Sequence, residues 1–255
     1  MIVLASAICA AVALIGEPAG CRDIVYDRSH PQSCLGDLLL PGNVTPETPV
    51  VLTIHGGGWS GGDRYSWEGV AEFFRRDLGA AVFNIEYRKS GESPWPACGE
   101  DCVRAARFLL EGGLAAHGVR PERIWICGGS AGGHLALWTG LSLNQNAVKG
   151  VISISGIGDP RPDCALHPGR YSALLGSGFE SRLAEIDARC RIRPGAGSRY
   201  LLTHAGEDDV VPLASAVVFA DSLRAADHPV ETFVYSRRDE PNTGGHVIWR
   251  PGSNP

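Results

Sequence analysis

Apolar residues fall in short, nearly solid runs along this chain. Val50-Val51-Leu52-Thr53-Ile54 is one, and further strand-like runs cover residues 81–86, 123–127, 150–154, 200–204 and 231–235. Continuous hydrophobicity over five or six residues suits strands that are covered on both faces. Between these runs, residues 66–78, 99–111, 132–143 and 213–226 have helix-like composition and spacing. The alternation predicts an α/β fold, a mostly parallel central sheet with helices on both faces. Residues 23–40 precede the first buried run and are expected to add an antiparallel strand or hairpin at one edge. Residues 157–198 lack a strong strand. Leu174-Leu175-Gly176 and residues 179–190 predict short helices there, forming a small lid-like insertion too short to be a domain of its own.

Length and composition narrow the picture. A chain of 255 residues, 44% hydrophobic and 20% charged, can bury one large core, so residues 21–255 are read as a single domain. The net charge of −5 and the absence of a Lys/Arg cluster argue against a nucleic-acid partner. Residues 2–15 are an apolar run broken only by Ser6, of the length of a signal-peptide core and too short to span a bilayer. Residues 1–20 are therefore read as a signal peptide and the protein as secreted or periplasmic, with no stable membrane span. No Lys or Arg precedes the run, and Pro18-Ala19-Gly20-Cys21 resembles a lipoprotein box with proline where leucine is usual. Anchoring at Cys21 is the alternative.

Two glycine-rich motifs carry the chemistry. Gly128-Gly129-Ser130-Ala131-Gly132 follows the apolar run Arg123-Ile124-Trp125-Ile126-Cys127 and precedes the helix-compatible Gly133-His134-Leu135-Ala136-Leu137-Trp138. Strand, sharp turn and helix are the setting of a nucleophile elbow, which needs small neighbours around its serine. In a chain with 33 glycines such a pentapeptide is weak alone. It gains weight from His55-Gly56-Gly57-Gly58-Trp59, which directly follows the 50–54 run. Glycines let such a loop turn its backbone amides toward a developing oxyanion.

With both motifs in this order the chain resembles the α/β-hydrolase superfamily, and within it the HGGGW-bearing esterases. These include carboxylesterases, acetylxylan and feruloyl-type esterases, and the related arylformamidases. The resemblance runs from about residue 48 to residue 246. It takes in Asn84-Ile85-Glu86-Tyr87-Arg88 and the helix-like residues 96–110, with Asp101, Ala105 and Leu109 in register. It implies the α/β-hydrolase fold and a nucleophile, acid and base in that chain order. Ser130 is the nucleophile. The stretch Leu201-Leu202-Thr203-His204-Ala205-Gly206-Glu207-Asp208-Asp209-Val210-Val211-Pro212 is similar to the segment bearing the family's acid. Aligning His204 and Pro212 puts the acid on Asp208, with Asp209 left open as its rival. His246, in Gly244-Gly245-His246 beyond the last strand, is the base. The resemblance also implies oxyanion donors at the amides of Gly57 and Gly58, joined by Ala131, the residue after the nucleophile.

His55 belongs to the oxyanion loop, His134 to the elbow helix and His204 to a strand end. His30, His117, His167 and His228 read as loop or surface residues. No Cys/His/Asp spacing resembles a metal site, so neither metal nor cofactor is expected. The activity implied is that of a serine carboxylic-ester hydrolase using a Ser-His-Asp triad and an acyl-enzyme. Its substrates would be small-molecule or carbohydrate-linked esters, acetyl or feruloyl. The alternatives are an arylformamidase- or peptidase-like acyl hydrolase, or a catalytically inactive binding protein of the same fold.

Cysteines add a further expectation. Cys9 would leave with the signal, and Cys127, in the strand before the elbow, reads as a buried free thiol. The other six are expected to pair with their nearest neighbours, as 21–34, 98–102 and 164–190. The chain stops soon after His246, short of the helix that usually ends this superfamily, so either one sheet face is partly uncovered, or a partner covers it, or the sequence is shortened.

Overall fold

Every apolar run of five or six residues forms a strand of one eight-stranded sheet. The computed structural model describes residues 20–195, 197–235 and 245–246. Its strands are β1 (Gly20–Val25), β2 (Leu35–Leu39), β3 (Val50–Ile54), β4 (Ala81–Ile85), β5 (Ile124–Gly129), β6 (Val148–Ile154), β7 (Arg199–Ala205) and β8 (Val230–Tyr235). They lie in the order β1-β2-β4-β3-β5-β6-β7-β8. From β4 through β8 every pairing is parallel. β2 joins β4 antiparallel, and β1 pairs antiparallel with β2, which is the edge hairpin expected of residues 23–40.

The helices are α1 (Glu68–Arg76), α2 (Ala97–Leu110), α3 (Ala131–Ser142) and α7 (Leu213–Ala225) around the sheet. Between β6 and β7 lie α4 (Pro160–Leu166), α5 (Pro168–Leu175) and α6 (Phe179–Ile186). Alternate residues of the central strands feed two cores. Leu52, Ile54, Phe83, Ile85 and Ile126 pack with α2 and α3 on one face. Val51, Val82 and Cys127 meet Trp67, Val70, Ala71 and Phe74, at and just before α1, on the other. α3 has no polar face because it is buried over almost its whole length, Ala131 to Leu141. On β8, Phe233 and Val234 remain exposed.

The insertion between β6 and β7 is closed by charges. Arg189 meets Asp159 at 3.0 Å across it, and the Ser215 hydroxyl on α7 donates to the Asp159 carbonyl at 2.6 Å. No disulfide closes it. The expected 21–34, 98–102 and 164–190 pairs do not form: Cys21, Cys34, Cys98, Cys102, Cys164 and Cys190 are free, as is the buried Cys127. Cys98 and Cys102 sit one turn apart in α2, where Cβ atoms lie about 5–6 Å from each other, beyond the roughly 3.5–4.5 Å a disulfide spans. Cys164 is buried in α4 while Cys190 is exposed. His228, read as a loop or surface residue, lies in the loop before β8, where it is buried and meets the Arg193 carbonyl at 2.8 Å. The apolar residues 2–15 and Cys9 lie outside the described residues, among which no helix is long and apolar enough to cross a membrane.

Candidate active site

β5 runs into α3 through a single residue, Ser130. Its backbone takes φ 54° and ψ −125°, a left-handed conformation that costs a non-glycine residue roughly 1–3 kcal/mol. The turn is held by the Ser130 amide, which donates to the Ile154 carbonyl of β6 at 2.9 Å. It also needs a bare backbone behind it. A Cβ on Gly132 would fall 2.3 Å from the Ile54 carbonyl oxygen and 2.4 Å from that of His55. The small residues of the pentapeptide thus let α3 start directly against the end of β3.

That end of β3 is where the His55-Gly56-Gly57-Gly58-Trp59 loop begins. A Cβ on Gly56 would lie 3.1 Å from the Ser130 Cβ, so the loop backbone passes directly beside the serine. Gly57 and Gly58 take φ 123° and 57°, conformations open to glycine, and the Ser60 and Gly61 amides fold back onto the Gly57 carbonyl. The amides of Gly57, Gly58 and Ala131 donate to no group among the described residues. Three unengaged N–H groups beside one hydroxyl are what an oxyanion requires.

The loop is pinned from both ends. Trp59 is fully buried and its indole N–H donates to His134 Nδ1 at 3.2 Å. His134 Nε2 in turn lies 2.7 Å from the Ile186 carbonyl at the end of α6. Burial brings the His134 pKa down to about 4, so the ring is neutral, accepting at Nδ1 and donating at Nε2. One imidazole on α3 therefore joins the glycine loop to the insertion. His134→Leu would strand a buried indole N–H and a buried carbonyl, each costing about 1–3 kcal/mol. The expected loss is about 2–4 kcal/mol in urea unfolding, and an unchanged midpoint would argue against the bridge.

At the other end, His55 Nδ1 meets the Gly56 carbonyl at 2.6 Å, and Nε2 meets Glu86 at 2.8 Å and Lys89 at 2.8 Å. Tyr87 stacks on the imidazole and donates its hydroxyl to the His55 carbonyl. Burial alone would raise the Glu86 carboxyl, but the His55 hydrogen bond and the charges of His55 and Lys89 bring it down to about 2. A carboxyl lowered on folding stabilises the fold above its unfolded pKa, near 4.5, and that contribution drains away as the pH falls toward 2. The stability difference between wild type and Glu86→Gln should shrink over that interval in denaturant titrations. A difference independent of pH would contradict the coupling.

Across the cavity, the loop after β7 presents Asp208. Its side chain is fully buried, and Oδ1 accepts from the amides of Val210 and Val211, each at 2.9 Å. Oδ2 receives His246 Nδ1 at 2.9 Å. Burial pushes the carboxyl up, yet the His246 hydrogen bond and the two amides more than compensate, leaving it below its ordinary value and ionised. Asp209, the rival acid, is exposed. Ser130 and His246, each 8% exposed, line one cavity of about 430 Å³ with Gly56, Gly57, Gly58, Ser60, Gly62, Ser66, Arg170 and Val210. The structure thus brings Ser130, His246, Gly57 and Gly58 to one cavity, with Ala131 directly after the serine and Asp208 behind the histidine. Arg170, from α5, is a cavity residue that no motif announced. It is hydrogen-bonded through Nη1 to the buried Asp163 at 3.1 Å.

One group of potential metal ligands, Asp27, Cys34 and Asp101, comes together elsewhere. Asp101 is bidentate to Arg88 and Asp27 meets Arg104 at 2.9 Å, so arginines already balance both carboxylates. Burial raises the Cys34 thiol to about 12. The spacing of these residues gave no hint of the group, which is assembled by the edge hairpin folding over α2.

A sheet in this order, with its serine on a strained turn between strand and helix, has the α/β-hydrolase fold. Within it, residues 36–157 match the BD-FAE family model. The acetyl-hydrolase of Streptomyces hygroscopicus is 32% identical over 212 residues, 76% of this chain and 64% of that protein, so the chain spans less than two thirds of its relative. Among solved structures, the bifunctional GH43-CE protein of Bacteroides eggerthii superposes with a TM-score of 0.76 at 24% identity, over 90% of this chain and 33% of that one. Esterase B of Lactobacillus rhamnosis, inhibited by a tributyrin phosphonate, gives 0.76 at 18% identity over 97% and 87%.

Proposed function

We propose that this chain is a serine carboxylic-ester hydrolase working through Ser130, His246 and Asp208. The observation that carries this reading is the convergence on one cavity. An elbow serine, three unengaged amides and a histidine bonded to a buried, ionised aspartate meet there. With Nδ1–H donated to Asp208, the His246 ring keeps Nε2 as the acceptor for the serine proton. Ser130 Oγ then attacks the ester carbonyl, and the oxyanion is held by the amides of Gly57, Gly58 and Ala131. The imidazolium, steadied by Asp208, returns its proton to the departing alcohol. Water, deprotonated by the same nitrogen, releases the acid from the acyl-enzyme.

The substrate class follows from the lining. Among the described residues lining the cavity, glycines and serines surround Ser130, and Val210 is the one aliphatic side chain. Such a wall suits a short acyl group on a polar alcohol. An acetyl ester of a carbohydrate fits it better than a long-chain ester, and the named activity of the acetyl-hydrolase relative agrees. The test is a chain-length series of 4-nitrophenyl esters, with a fluorophosphonate adduct located by peptide mass spectrometry. Turnover highest at acetate with the adduct on Ser130 is expected. Absence of turnover, or an adduct on another residue, would overturn the reading.

A further inference from the structure

Among the described residues lining the cavity, Arg170 is the one permanently charged side chain, and it is firmly anchored for a residue on a short insertion helix. Its partner Asp163 is fully buried, and the other oxygen of that carboxylate receives the hydroxyl of the fully buried Tyr171 at 2.8 Å. Both contacts of the guanidinium, to Asp163 and to the Val210 carbonyl at 3.5 Å, are made by Nη1. The Nε and Nη2 atoms have no partner among the described residues and are not sealed from solvent. That remaining edge is the planar fork that binds a carboxylate through two parallel hydrogen bonds. The aliphatic stem runs beside the oxyanion loop, since a Cβ on Gly58 would lie 3.9 Å from Arg170 Cδ. A structural anchor to Asp163 would need one nitrogen, which lysine could supply. The second edge, on a residue that lines the same cavity as Ser130, is left over from that task.

We propose that the Nε/Nη2 edge of Arg170 is an anion subsite of the active-site cavity, and that the preferred substrates are esters bearing a carboxylate near the scissile bond. The inference rests on the hydrolase reading and narrows it. Two matched pairs of substrates separate an acyl-side from an alcohol-side carboxylate. These are the 4-nitrophenyl monoester of succinate against 4-nitrophenyl butyrate, and acetylated glucuronate against acetylated glucose. Wild-type protein should favour the charged member of at least one pair by about tenfold in kcat/KM, the scale of one hydrogen bond to a charged group. In Arg170→Gln that ratio should fall to about one. Arg170→Lys keeps a cation able to reach Asp163 and guards against a simple folding defect; its ratio should also collapse, because lysine offers no fork.

Equal or neutral-favouring rates in both pairs for the wild type would overturn the subsite, as would a charged preference that survives in Arg170→Gln. Hydrolysis of the neutral esters under either result would leave the hydrolase reading standing. If folded wild type cleaves no ester at all, the hydrolase reading fails. Calorimetry of glucuronate against glucose then decides the subsite alone, and absence of saturable glucuronate binding would overturn it.

Discussion

Ser130→Ala should reduce turnover of 4-nitrophenyl acetate by roughly 10⁴- to 10⁶-fold while leaving the protein folded. The size of the drop follows from what remains. The amides of Gly57, Gly58 and Ala131 still have no partner among the described residues, and the His246–Asp208 pair is untouched, but no oxygen is left to form an acyl-enzyme. Alanine accepts the same strained backbone as serine at φ 54°, so the unfolding midpoint should move little. Single-turnover kinetics would show the burst of 4-nitrophenol disappear. A loss of less than about tenfold, with a normal circular dichroism spectrum, would rule Ser130 out as the nucleophile.

The second large effect is expected at the acid. Asp208→Asn should lower turnover by roughly 10⁴-fold, whereas Asp209→Asn should change it by no more than about threefold. An asparagine at 208 can still accept the Val210 and Val211 amides through its oxygen. Its amide nitrogen would then face His246 Nδ1, turning the ring to the tautomer that protonates the nitrogen meant to act as base. The two variants differ by one position and by almost nothing in charge or size, so their comparison is an internal control. Equal losses, or the larger loss at Asp209, would reassign the acid.

Much of this site could be read from the chain because its constraints are local. A nucleophile elbow compresses strand, turn and helix into about ten residues, and the need for bare backbone at Gly132 leaves a visible pentapeptide. The central strands β3, β4 and β5 were legible for a related reason: buried along almost their whole length, they have no polar alternation to confuse with a helix. The acid was not resolved, since Glu207, Asp208 and Asp209 are chemically alike and only the loop geometry decides which carboxylate turns inward. Arg170 was invisible because its meaning depends on Asp163 and Tyr171, neighbours on two short helices with no motif. The cysteine pairing failed for the opposite reason. Nearness in sequence is not nearness of Cβ atoms, and a helix keeps residues four apart too far from each other to bond.

Those unbonded thiols leave the molecule with a set of internal clocks. Cys190 stands at the surface, whereas Cys34, Cys98, Cys102, Cys127 and Cys164 are buried. Burial also raises the pKa of each of these five, so the reactive thiolate is scarce wherever the fold is closed. Alkylation at a buried position is then timed by how often its own surroundings open. Cys127 times the central strand beneath Ser130, Cys98 and Cys102 time α2, and Cys164 times the insertion. The native chain thus carries position-specific reporters of local opening around its own active site, with no added label or altered residue.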